Sequence, residues 1–88
     1  MRIADRIRTK LETALSPATL EIVDDSHKHA GHSGAREGGE THFTVTVVSD
    51  VFAGKSRIER QRLVYGLLAE EMAERVHALA LNTRAPGE

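Results

Sequence analysis

Apolar residues recur at every fourth position at the start of the chain: Ile3, Ile7, Leu11 and Leu15, with Ala14 widening the stripe. Arg6, Arg8, Lys10 and Glu12 point elsewhere, so the spacing predicts an amphipathic helix over 2–15. Ser16-Pro17 ends it, because proline disfavours helical backbone in the residue before it. Over 19–24, Leu20 and Ile22 alternate with Thr19, Glu21 and Val23, the two-residue period of a short strand. A stronger strand covers 42–49. It has Phe43, Val45 and Val47 on one face and His42, Thr44, Thr46 and Val48 on the other. By this alternation His42 lies off the core.

Ser26 to Thr41 carries four glycines and no apolar period, which predicts a flexible loop over 26–41. A loop of that length is either functional or disordered. After the second strand, Val51 to Gly54 fits one short helical turn. Ser56-Arg57-Ile58-Glu59 then has capping-box spacing, in which the serine hydroxyl and the glutamate carboxylate each accept from the other's amide. The helix it starts is expected to run over 57–75. Ile58, Tyr65, Leu68 and Met72 share its apolar face, with Val64 and Ala69 beside them, and Arg57, Arg60, Arg62, Glu70, Glu71 and Glu74 point mostly outward. Residues 76–82 read as a last strand, apolar apart from His77, and 84–88 as a frayed tail. The order is α-β-β-α-α-β. Two helices with one apolar stripe each cover one face of a small sheet, so the fold class is a two-layer α/β sandwich over 1–88, a single domain.

Composition narrows what such a domain does. The 88 residues include no cysteine and no tryptophan, and 12 Lys plus Arg against 13 Asp plus Glu give a formal charge of −1. The chain therefore has no disulfide and no nucleophilic thiol of its own. A charge near zero is not that of a protein that coats nucleic acid through basic groups. The longest apolar stretch, Val76 to Leu81, is broken by His77 and is far too short to span a bilayer. Met1 to Arg6 has no apolar core and carries an acid, unlike a signal peptide, so the expected location is cytoplasmic, with no membrane contact. Neither a nucleophile–base pair nor a paired carboxylate set stands out, so the chain reads as a binding protein rather than an enzyme.

Ser49 to Ser56 superficially resembles the end of a phosphate loop, but Ser49 stands where the first glycine belongs. A turn followed by a helix cap accounts for it better. Lys55, Arg57, Arg60 and Arg62 form a basic patch at the start of the long helix. Such a patch is most often a solvated face, and it is also the candidate nucleic-acid contact. With three aromatic residues in all, stacking platforms for single strands are scarce.

The histidines are the more informative group. His27, His29 and His32 sit in the long loop, His42 opens the second strand and His77 opens the third. Imidazole suits borderline transition metals, and here it has no thiolate competitor. Taken singly, His27 and His32 are best explained as solvated. His77 interrupts an apolar strand, where a polar group needs a partner or an edge.

Five blocks, in order, resemble the BolA family: Asp24-Asp25-Ser26-His27-Lys28-His29, Thr41-His42-Phe43-Thr44-Val45, Val48-Ser49-Asp50-Val51-Phe52-Ala53-Gly54, Arg60-Gln61-Arg62-Leu63-Val64-Tyr65 and Val76-His77-Ala78-Leu79-Ala80-Leu81. Gln61 departs from the Arg-His-Arg usual in the family. The resemblance implies a class II KH-like fold with a mixed three-stranded sheet and helices on one face. It implies pairing with a monothiol glutaredoxin around a bridging 2Fe–2S cluster, in iron–sulfur trafficking or iron regulation. The partner would supply thiolate and bound glutathione, and this chain imidazole: monomeric alone, a heterodimer with its partner. By the same resemblance His77 is the first ligand candidate, His29 and His42 come next, and His32 and His27 last. If the second and third strands run parallel, His29, His42 and His77 share one sheet edge. The competing implication is a KH-like, DNA-binding transcriptional regulator acting through Lys55, Arg57, Arg60 and Arg62. Its turn, Gly54-Lys55-Ser56-Arg57, lacks the second glycine of a KH loop.

Overall fold

A computed structural model describes residues 2–25 and 41–88. Helix α1 spans Ile3–Leu15 and buries the four residues of its predicted stripe, Ile3, Ile7, Leu11 and Leu15. Ser16 closes it in a left-handed conformation (φ 42°), and its amide donates to Glu12 O at 3.1 Å. Pro17 then turns the chain into β1, Thr19–Asp24. Strand β2 spans His42–Val48 and β3 spans Ala78–Arg84. The sheet order is β1-β2-β3. β1 runs antiparallel to β2, with Ile22 opposite Val45, and β2 runs parallel to β3, with His42 opposite Ala78. The sheet is therefore mixed, as expected.

The central strand sends Phe43, Val45 and Val47 inward, all buried, against the α1 stripe and Phe52, Val64, Leu68, Val76 and Leu79. On the other face Val23, Ala78 and Ala80 are exposed, which leaves the sheet covered on one side as in a two-layer sandwich. The predicted short helical turn is a 3₁₀ turn at Asp50–Phe52. Ser49 is buried there. Its hydroxyl donates to Leu15 O at 2.6 Å and accepts from Val51 N at 3.2 Å, so one side chain ties the end of α1 to the start of the turn. This is a structural role, not that of a phosphate loop.

The long helix is two. α2 covers Arg57–Leu67 and α3 covers Ala69–Glu74, with a bend at Leu68 (φ −104°, ψ 18°). Gly66, two residues earlier, weakens helix by about 1 kcal/mol relative to alanine. The bend delivers Leu68 into the core at 1% exposure. The capping box forms as predicted: Glu59 N donates to Ser56 Oγ at 3.1 Å and Ser56 N to Glu59 Oε1 at 2.9 Å.

Several expectations are corrected. Ile58 and Tyr65 are exposed, whereas Leu68 and Val64 face the core as expected, with Leu63, Leu67 and Met72 packed beside them. The α2 sequence carries two overlapping stripes at helical spacing, and packing on the sheet selects the second. Glu71, expected outward, has no exposed surface. Arg6 Nη2 approaches its Oε2 at 2.8 Å and Lys10 Nζ its Oε1 at 2.9 Å. β3 starts and ends two residues later than expected. Val76 instead closes α3, its amide donating to Glu71 O, and the polar Asn82, Thr83 and Arg84 are held by pairing with Thr46, Val47 and Val48. The tail is docked rather than frayed: Ala85 is buried, and Glu88 accepts from both terminal nitrogens of Arg60. The loop expected over 26–41 lies outside the described residues except for Thr41, which is fully buried.

Candidate functional site

Thr41 and His42 open the central strand, and the turn after α3 brings His77 beside them. Thr41 O accepts from His77 N at 2.6 Å and from Ala78 N at 3.1 Å, which starts the parallel ladder and fixes where His77 stands. The His42 and His77 ring centroids are 5.4 Å apart, with the rings tilted by 50°. His77 lies one residue before β3, in a turn, and is exposed.

His42 departs from the alternation argument: it is 6% exposed. The other residues of its face of β2, Thr44, Thr46 and Val48, are only half-buried. Thr41 Oγ1 lies 2.8 Å from His42 Nδ1, which sets the orientation of the imidazole. A neighbour that occupies one ring nitrogen selects the other for a ligand. Asp25 N donates to His42 O at 2.7 Å, and the Thr44 hydroxyl donates to the Asp25 carboxylate. Asp25, His42, Thr44, Ala78 and Ala80 line a groove of about 280 Å³ at this end of the sheet. Sequence reasoning missed Thr41 and Asp25 as supports. The usable signal was a hydroxyl residue directly preceding the strand's histidine.

The structure thus brings together two of the five candidate ligands, His42 and His77. His27, His29 and His32 lie outside the described residues, whose two ends at this gap, Asp25 and Thr41, both flank His42. Among the described residues no group of three His, Cys, Asp or Glu converges. Two imidazoles half-fill the terminal coordination of a 2Fe–2S cluster, which takes two protein ligands on each iron. The donor set therefore fits one side of such a cluster, with thiolate from elsewhere on the other.

The basic candidates divide. Lys55, Arg57 and Arg62 are exposed. Gly54, at φ 77°, turns the chain ahead of them in a conformation other residues rarely adopt. The Arg60 side chain is only 11% exposed. Besides Glu88 it donates to Lys55 O at 3.0 Å and to Thr83 O at 3.3 Å, and it lies 6.0 Å over the Phe52 ring. Arg84, not among the expected residues, joins Arg57 in lining a groove of about 330 Å³ along the outer edge of β3. No helix among the described residues is long and apolar enough to cross a membrane.

Comparison with known proteins agrees with this architecture. The family described as BolA-like protein matches residues 11–88. SufE-like protein 1, chloroplastic/mitochondrial, from Arabidopsis thaliana is 47% identical over 94% of this chain, which spans 24% of that relative's length. The DNA-binding transcriptional regulator BolA from Escherichia coli is 46% identical over 94% of this chain and 75% of its own length. Among solved structures, BolA1 from Arabidopsis thaliana superposes with a TM-score of 0.89 at 41% identity, covering all of this chain and 96% of that one. With the element order, the mixed sheet and the matched residues in agreement, the chain belongs to the BolA-like family.

Proposed function

We propose that this chain pairs with a monothiol glutaredoxin and holds one side of a bridging 2Fe–2S cluster through histidine, in iron–sulfur trafficking or iron regulation. The observation that carries this reading is the His42–His77 pair, two imidazoles from different elements at 5.4 Å, in a chain without cysteine. His77, exposed, is the ligand that meets the partner first. His42, oriented by Thr41, is the second on this geometry, and His29 is the alternative from the loop. The partner brings thiolate from its own cysteine and from bound glutathione. The cluster is cargo that the pair passes on or senses. What this chain contributes is two imidazoles at one end of the sheet, His42 oriented by Thr41 and His77 placed by its backbone amide, so that little ordering entropy is left to lose on binding.

The test is co-expression with a monothiol glutaredoxin, followed by visible absorption and circular dichroism of the purified complex. A cluster signal that needs both proteins, and that His77→Ala abolishes or shifts, is the expected result. An unchanged signal in His77→Ala would overturn the ligand assignment, and no shared signal at all would overturn the reading.

A second reading, contact with duplex DNA, is favoured by the exposed Lys55, Arg57 and Arg62 and by the name of the Escherichia coli relative. Replacing Lys55 and Arg57 by alanine should then weaken duplex binding and flatten its salt dependence while leaving assembly with a glutaredoxin intact.

A further inference from the structure

Arg60 is the centre of a cationic surface that one carboxylate closes. Its Nη1 and Nη2 donate to Glu88 Oε1 and Oε2 at 2.6 and 2.7 Å, the two-pronged geometry with which a guanidinium takes a carboxylate or a phosphate. A short turn delivers Glu88. Gly87 sits at φ 87°, and Ala85 N donates to Glu88 Oε1 at 2.9 Å while the Ala85 side chain is buried. Lys55, whose carbonyl accepts from Arg60 Nε, and Arg57 and Arg84 are all exposed. The charge of Arg84 also acts on Glu88, and that of Lys55 on Glu59, without a close ion pair among the described residues. Arg57 and Arg84 line the β3-edge groove together with Thr83, whose carbonyl also accepts from Arg60. Arg57 and Arg60 of α2 and Arg84 of β3 thus stand together beside one strand edge, and Glu88 neutralises the most buried of them.

We propose that Arg57, Arg60 and Arg84 form a phosphate-binding site for the backbone of duplex DNA, and that Glu88 occupies it in cis as a latch. The inference rests on the second reading above and adds a regulatory contact to it. A row of cations along a groove suits a polyanion with repeated charges better than one isolated phosphate, since each neutralised phosphate adds its own counterion release. Arg60 contributes nothing to that row while its fork is filled.

The test is fluorescence anisotropy with a labelled duplex at several salt concentrations, using the full chain. Glu88→Gln should bind about tenfold more tightly, since a charged hydrogen-bonding partner becomes available. Its log–log salt dependence should steepen by about 0.9, the value for one added phosphate contact. Adding Arg60→Ala should remove both gains. Glu21→Gln, the same charge change on β1 at the opposite edge of the sheet, should leave the salt slope as it was. Far-UV circular dichroism checks folding. Should Arg60→Ala unfold the domain, Arg60→Gln replaces it, losing the charge and the fork while keeping part of the stem. A Glu88→Gln gain no larger than that of Glu21→Gln, or one that survives loss of the Arg60 fork, overturns the latch alone. Failure of both wild type and Glu88→Gln to bind duplex overturns the latch and the second reading together.

Discussion

The imidazoles of His42 and His77 face each other across 5.4 Å, yet the first is buried and the second exposed. The pair therefore joins a rigid member to an accessible one. His42 is held by the Thr41 hydroxyl at Nδ1, whereas His77 is fixed through its backbone amide on Thr41 O and presents its ring outward.

That asymmetry separates stability from ligation. His77→Ala should change unfolding free energy by no more than about 0.5 kcal/mol, the usual range for an exposed position. His42→Ala should cost about 1–3 kcal/mol, because it empties a buried site and leaves Thr41 Oγ1 without its ring partner. Urea unfolding of the isolated domain measures both. In the glutaredoxin complex both variants should lose cluster signal. A full signal in a folded His42→Ala would move the second ligand to His29.

Ser49 joins the end of α1 to the following turn through one hydroxyl. Ser49→Ala should destabilise the domain by about 1–2 kcal/mol, as loss of a helix cap and a buried hydrogen bond does. Leu15 O and Val51 N both lose their partner, so amide exchange should accelerate at Val51. Unchanged exchange there would show that the cap contributes nothing.

Glu71 gives a test with a built-in asymmetry. Its carboxylate is fully buried, while the side chains of Arg6 and Lys10 retain 25% and 31% of their exposure. Oε2 meets Arg6 as an ion pair without the alignment of a hydrogen bond. Glu71→Gln leaves two cations that can rehydrate, so the cost should be about 1–3 kcal/mol. The double change Arg6→Ala and Lys10→Ala leaves a buried charge uncompensated and should cost more, about 3–5 kcal/mol. The reverse ranking in chemical denaturation would contradict this account of α1–α3 packing.

The same carboxylate sets part of the acid limb. Burial opposes the charged form of Glu71, but the Lys10 hydrogen bond, a backbone hydrogen bond and the charges of Lys10 and Arg6 together outweigh it and hold the carboxyl below its ordinary 4.5. The two-pronged bond from Arg60, with the Ala85 amide, brings Glu88 down to about 2. A depressed carboxyl binds fewer protons in the folded state than in the unfolded chain. Its contribution is therefore complete above the ordinary value and is lost as pH falls through the folded one. Stability should decline from about pH 4.5 downward, with the Glu88 share lost progressively and gone below about pH 2. Glu88→Gln should flatten the decline between about pH 4.5 and 2, and Glu71→Gln should flatten it below about pH 4.5. Urea midpoints over this range, for wild type and both variants, give the comparison.

Much of this protein was legible in the chain because the relevant periods are short. The four-residue stripe of α1, the alternation of β2 and the Ser56–Glu59 capping box each depend on residues within one or two turns, where backbone geometry alone decides which side chains share a face. The same local blocks carried the family resemblance and the list of histidines. Other features were decided only when distant segments met. The parallel register of β2 with β3 placed His77 beside His42, and the His42 ring, which alternation put off the core, is buried with Thr41 at its Nδ1. Packing chose between two overlapping stripes on α2, and the bend at Leu68 turned Glu71 toward Arg6 and Lys10. The tail is ordered by Arg60, a residue on another element. Periodicity records which residues point the same way along one element. Whether that direction meets solvent, a core or an opposite charge depends on the neighbouring elements, and so belongs to the tertiary structure.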